Sequence, residues 1–175
     1  MPASPSLSMH NPFRINVGFI VHEEVGDSHD FPLQFDRVRI ADDLELERFA
    51  GAVHVGRTAQ GLLLGGECSA RTVVECVRCL KPFWQPLQWR MSEHYAFSEK
   101  STSESGLTLP EDFQIDLAPL IREYALLEIP IKPICRPGCR GLCPVCGQDL
   151  NVRDCGHRPE TGTSPFAALG DFLAK

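Results

Sequence analysis

Two cysteine-bearing stretches, far apart in the chain, set the strongest limit on how it can fold. One is Cys76-Val77-Arg78-Cys79. The other runs Cys135-x3-Cys139-x3-Cys143-Pro144-Val145-Cys146-Gly147 and continues to Cys155-Gly156-His157. Two thiolates separated by two residues can bind one zinc ion, and Pro144 and Gly147 suit the tight turn that brings both sulfurs inward. Zinc takes four ligands, so the upstream pair is expected to be tied to the downstream stretch through metal.

Seven cysteines and His157 make eight candidate ligands, enough for two four-coordinate sites. One division places Cys76, Cys79, Cys135 and Cys139 at a first zinc ion and Cys143, Cys146, Cys155 and His157 at a second. The alternative is a single site in the manner of a zinc ribbon, with Cys76 and Cys79 joined by Cys143 and Cys146. Spacing alone does not choose between one ion and two. A redox dithiol competes with both, but neither pair begins a helix after a strand, the context such dithiols need. Cys68 lies inside a strand pattern and reads as a small buried hydrophobe.

The chain has no N-terminal basic stretch leading into an apolar run, and no apolar run approaches the length of a spanning helix. The expected location is the cytoplasm, away from membranes, where its eight cysteines stay reduced and favour metal over a disulfide framework. A net charge of -6 argues against nonspecific coating of nucleic acid. Bases gather near the cysteines, where Lys132, Arg136, Arg140, Arg153 and Arg158 stand against Asp149 and Asp154. Thiolates bound to zinc would bring that region close to neutral and leave arginines around it.

The remaining pattern predicts an α+β fold. Its parts are a mainly antiparallel sheet (a meander or partial barrel), one central packing helix, a cysteine-rich zinc-binding C-terminal segment and a short terminal helix. Residues 1–12 read as a flexible start, 13–97 as the β-rich part and 98–110 as a mobile loop. The helix, cysteine segment and tail occupy 111–175, and 13–175 form one integrated domain. Strands are expected over Phe13–Val21, Phe31–Ile40, Phe49–Val55, Leu62–Val77 (bent or bulged at Gly65-Gly66) and from Pro82 to Phe97. In the last of these Leu87, Trp89, Met91, Tyr95 and Phe97 alternate with polar residues. Cys76 and Cys79 then fall at a hairpin tip. Asp116 is placed as a helix N-cap, Pro119 in the first turn, and Leu117, Leu120, Ile121, Tyr124 and Leu127 as the buried stripe, with Pro130 ending the helix. Pro165–Lys175 shows helical spacing of Phe166, Leu169, Phe172 and Leu173.

Catalysis is not expected. A zinc deaminase would pair His-x-Glu with Pro-Cys-x-x-Cys, but Leu142 precedes Cys143 and His22-Glu23-Glu24 lies far away. Four protein ligands also leave no open position for water. Phosphate loops, Gly-x-Ser-x-Gly and His-Glu-x-x-His are all missing from the sequence.

Three segments together carry a resemblance: Cys76-Val-Arg-Cys79-Leu-Lys-Pro-Phe83, Asp116-Leu-Ala-Pro-Leu-Ile-Arg-Glu123, and Cys135 to Asn151 with its Gly-Leu-Cys-Pro-Val-Cys-Gly core. The chain resembles the YceD family of large ribosomal RNA subunit accumulation proteins from roughly Phe49 onward, including Pro165 to Leu169. Many relatives end the cysteine region in Cys-x-Cys where this chain has Cys155-Gly-His157. The resemblance implies a non-enzymatic zinc-binding factor that supports large-subunit ribosomal RNA accumulation and ribosome assembly. Its partners would be ribosomal RNA or a large-subunit ribosomal protein, and Arg78, Arg136, Arg140 and Arg153 are the candidate contacts. A protein-protein adaptor with a structural zinc clasp, or a thiol redox protein, are the alternative readings.

Overall fold

The computed structural model describes residues 11–98 and 106–158. Four long strands, β1 to β4, form an antiparallel meander in chain order: β1 Ser28–Ala41, β2 Leu44–Arg57, β3 Gly61–Glu75 and β4 Pro82–Ala96. Preceding them, a three-residue strand (Arg14–Asn16) pairs antiparallel with β5 (Gln114–Asp116), with Ile15 opposite Ile115. The helices are α1 (Gly18–Val21) and α2 (Ala118–Leu127). The fold class expected from the sequence is the one observed, as an open meander.

One face of the meander is apolar. Along β3, Leu62, Leu64, Cys68 and Ala70 are buried at every second or fourth position, and along β4 so are Leu87, Trp89, Met91 and Tyr95. Such alternation gives one buried and one solvated face. The buried face is covered by Phe13, Ile15 and Val17, by Ile20 of α1, and by Leu120, Ile121 and Ala125 of α2. Phe13 stacks edge-on against Phe35 and Phe49, with centroids 5.1 and 5.7 Å apart, and Phe49 continues the row to Trp89 at 5.9 Å. Each aromatic contact of this kind adds about 1 kcal/mol beyond burial.

Several elements depart from the sequence expectations. The N-terminal strand stops at Asn16, because the Asn16 Oδ1 accepts the Gly18 N–H at 2.9 Å and turns the chain into α1. No bulge occurs at Gly65-Gly66: β3 pairs with β4 without interruption from Gly61–Ala96 to Glu75–Pro82. Gly66 instead sits in close packing: a Cβ there would lie 2.9 Å from the flexible end of Met91 and 3.1 Å from the Ala52 carbonyl. The bulge sits on β2, between Glu47 and Ala50, where Arg48 has φ 51°. It inserts one residue, so the buried set changes from Leu44 and Leu46 to Phe49, Val53 and Val55.

Asp116 ends β5, and Leu117 occupies the cap position, although the Asp116 carboxylate still accepts the Ala118 N–H at 2.9 Å. Pro119 lies in the first turn of α2. The buried stripe centres on Ile121 and Ala125, which leaves Leu127 76% exposed. Tyr124 donates to Glu93 of β4 at 2.8 Å and fixes the helix against the sheet. Of the stretch 98–110, Leu107 and Leu109 bond through their backbones to Ala96 and pack on the core. Residues 1–10, 99–105 and the segment Pro165–Lys175 expected to form a terminal helix lie outside the described residues.

Candidate metal centres

The hairpin between β3 and β4 builds the first knuckle. The Cys76 N–H donates to the Lys81 carbonyl at 3.0 Å and the Leu80 N–H to Cys76 at 2.9 Å, so the chain doubles back within six residues. Leu80 takes φ 57° at this turn. A second segment arrives after α2: the Val77 N–H bonds to the Pro133 carbonyl at 2.9 Å, and the Arg136 carbonyl accepts the Cys139 N–H at 3.0 Å. Cys76, Cys79, Cys135 and Cys139 are thereby gathered with their sulfurs within 4.8 Å of one another. Phe83 and Ile134 pack around them as a small core separate from the main one.

The second knuckle is local. The Cys143 N–H bonds to the Gln148 carbonyl at 2.8 Å and the Gly147 N–H to Cys143 at 2.9 Å, with Gly147 at φ 72°. The left-handed turn is a conformation glycine adopts without a Cβ clash. Cys143, Cys146, Cys155 and His157 form the second group within 4.8 Å. Cys76 and Cys79 are therefore grouped with Cys135 and Cys139, and the ribbon grouping with Cys143 and Cys146 is not the one formed. Cys68 stays apart, buried in the sheet, its Sγ 2.7 Å from where a Cβ on Gly51 would lie.

The spacings suit a tetrahedral cation. Zinc–sulfur bonds of about 2.3 Å put neighbouring sulfurs about 3.8 Å apart. Cys76 to Cys139 and Cys79 to Cys135 are each 3.8 Å. A disulfide would need about 2.05 Å, and all eight cysteines are free. In the second group, the His157 Nδ1 lies 3.3 Å from Cys155 Sγ and 3.8 Å from Cys143 Sγ. A zinc ion bound by sulfur and nitrogen requires about 3.6 Å for that edge. Both groups could hold a metal ion.

The thiols are electrostatically prepared for this. Backbone N–H groups, that of Cys135 first, hold the Cys76 thiol at about 6. The Cys146 and Val145 amides do the same for Cys143, also at about 6. Burial pushes Cys135 up to about 12. Four neighbouring sulfurs resist ionising together, and a divalent cation supplies the charge that lets them do so.

The four arginines considered as contacts divide. Arg78 donates to the Cys139 carbonyl at 2.8 Å, Arg136 to the Asn151 Oδ1 at 3.0 Å, and Arg140 to Asp154 at 3.2 Å. These three hold the knuckles together. Among the described residues the Arg153 guanidinium makes no hydrogen bond or ion pair. Residues that no cysteine spacing singles out also matter. Lys81 meets Asp149 at 2.6 Å, Leu142 N–H bonds to Arg78 at 3.0 Å, and Leu150 N–H bonds to Gly141 at 2.9 Å, joining one knuckle to the other. Gly141 has φ 75°, and a Cβ there would lie 2.9 Å from the Arg78 carbonyl.

The protein is thus a small antiparallel meander whose hairpin tip meets the segment following a packing helix at a four-cysteine cluster. This chain belongs to the YceD family: residues 64–173 match the family described as large ribosomal RNA subunit accumulation protein YceD, and both cysteine groups fall inside the match. An uncharacterised protein of Mycobacterium tuberculosis is 36% identical over 125 residues, covering 69% of this chain and 60% of the relative. One of Mycobacterium leprae is 32% identical over 126 residues, covering 70% and 58%. The chain thus spans about three-fifths of the length of these relatives. The Arabidopsis thaliana protein named large ribosomal RNA subunit accumulation protein YCED homolog 1, chloroplastic, is 39% identical over 63 residues, covering 36% of this chain and 20% of that protein. No solved structure matches. No helix among the described residues is long and apolar enough to cross a membrane.

Proposed function

We propose that this chain is a non-catalytic zinc-holding factor that supports accumulation of large-subunit ribosomal RNA during ribosome assembly. The observation that carries the reading is the pair of preformed four-ligand clusters, Cys76, Cys79, Cys135, Cys139 and Cys143, Cys146, Cys155, His157, inside the region matched to the family. Each takes one zinc ion. Four protein ligands close the coordination sphere, so the metal fixes shape and performs no hydrolysis. The knuckles present a surface to ribosomal RNA or to a large-subunit ribosomal protein, and Arg153, whose guanidinium has no partner among the described residues, is a cation open to phosphate.

The test is co-sedimentation with large-subunit precursor particles. Zinc-loaded chain is expected in those fractions, with Arg153→Glu weakening the association; an unchanged profile for the variant removes Arg153, and absence of the native chain from the particles overturns the reading. Replacing Arg78, Arg136 or Arg140 would confound the result because each holds a knuckle. Exposed Val77, Leu80 and Val145 on the two knuckles favour a second reading, a protein-only adaptor. It predicts association that survives ribonuclease and is lost in Leu80→Asp.

A further inference from the structure

Asn151 belongs by sequence to the second knuckle, between Cys146 and Cys155, yet its side chain reaches the first. Its Nδ2 lies 3.5 Å from Cys139 Sγ and 2.8 Å from the Asp149 Oδ1. Its Oδ1 accepts the Arg140 N–H at 2.8 Å and an Arg136 guanidinium N–H at 3.0 Å. Two donors on the oxygen and a carboxylate on the nitrogen fix which way the amide points, so the N–H that faces sulfur is set by the surrounding bonds. The Asn151 N–H also donates to Asp149 at 2.8 Å, and Asp149 is in turn paired with Lys81 on the hairpin. The Asn151 side chain thus links Arg136, Cys139 and Arg140 of the first knuckle to Asp149 of the second.

We propose that Asn151 is a positioning residue for the first metal centre, donating a hydrogen bond to the Cys139 thiolate and coupling that centre to the fold of the second knuckle. The proposal rests on the reading that both clusters hold zinc. Four thiolates around a divalent cation carry an excess of two negative charges. An N–H···S bond withdraws electron density from one sulfur and disfavours its protonation or release. Outer-shell partners of this kind typically change metal affinity by 10- to 100-fold. The first knuckle then holds its metal tightly only when the loop 147–154 is folded.

The experiment compares native chain with Asn151→Ala and Asn151→Asp, following metal release to a chelator and the absorption of the cobalt-substituted protein. Cys143→Ser removes a second-site ligand: the release phase it abolishes belongs to the second centre, and the phase that remains, which belongs to the first, should also quicken. Asn151→Asp keeps an oxygen acceptor for Arg136 and Arg140 but loses the N–H donor. Both variants are expected to release first-site zinc about 10- to 100-fold faster. Their first-site sulfur-to-cobalt charge-transfer band should move to longer wavelength, since a thiolate without a hydrogen-bond donor is the better electron donor. A residue that merely filled space would leave that band in place. Unchanged release and an unchanged band, with two metals still bound, overturn the role of Asn151 and leave the zinc reading standing. A native chain that binds no metal overturns both.

Discussion

The two knuckles differ in their side chains, four cysteines in one and three cysteines with His157 in the other, and in how they are built into the fold. The first joins residues 56 positions apart, Cys79 and Cys135, and three of its four cysteines are buried. The second spans 14 positions from Cys143 to His157, and only Cys143 is buried. A fourfold difference in loop length is two doublings, which is about 1.2 kcal/mol of closure entropy. Loop length therefore cannot make the knuckles very unequal. Burial can, because the first cluster has its own apolar packing against Phe83 and Ile134 and lies at the junction of hairpin and post-helix segment.

The largest expected effect tests that asymmetry. In the zinc-loaded chain, Cys139→Ser should lower the free energy of unfolding by about 4 kcal/mol, within the range for loss of a structural metal ligand. Cys146→Ser should cost less, about 2 kcal/mol, because an exposed ligand on a local loop reaches the packed cluster only through the loop that carries Asn151. Urea denaturation of both variants measures this. Equal losses would show that the knuckles fold as one unit, and the description of one clasp and one local loop would fail.

How much of this was legible in the sequence follows from which constraints are local. The alternation of Leu87, Trp89, Met91 and Tyr95 encodes a half-buried strand directly, and the cysteine positions locate a hairpin tip. The bulge at Arg48 was not legible because Gly65-Gly66 carries the stronger compositional signal, whereas the extra residue is visible only in the register with β3. The grouping of Cys76 and Cys79 with Cys135 and Cys139 was open to two divisions, since spacing says nothing about which segment returns to the hairpin. Asn151 closes the motif that carries the family resemblance, but no feature of the sequence assigns it a role: its partners Cys139, Arg136 and Arg140 meet it only through tertiary structure.

Thiol accessibility gives an intermediate effect and sharpens the same contrast. After chelation, Cys146 should be alkylated about 10-fold or more faster than Cys76 and Cys139, because the exposed local loop opens at lower cost than the packed cluster. Mass spectrometry of partially labelled chain reads the order, and matching rates would mean that metal alone maintains the packing around Phe83. Cys68 serves as the internal reference. Burial pushes its thiol up to about 11 from an ordinary 9. A raised thiol favours the neutral form in the folded state, so its contribution is present below pH 9 and is lost as the pH rises through about 11. Cys68→Ala should lack that alkaline component in stability measured against pH.

The smallest effect concerns what joins the knuckles. Lys81 and Asp149 meet at 2.6 Å, and Lys81, with the Asn151 amides, holds the Asp149 carboxyl at about 2. A depressed carboxyl contributes above its ordinary value near 4 and loses that contribution as the pH falls through about 2. Lys81 is largely exposed, at 62%, so solvent and salt screen the pair. A double-mutant cycle on Lys81→Ala and Asp149→Ala should give a coupling below about 1 kcal/mol that shrinks further in high salt. In Lys81→Ala the Asp149 carboxyl resonance should titrate at higher pH than in the native chain. The coupling is small because the backbone bonds from Leu142 to Arg78 and from Leu150 to Gly141 persist in either variant. A coupling of several kcal/mol would instead make the ion pair the principal joint, and the two knuckles would then respond to acid together rather than in sequence.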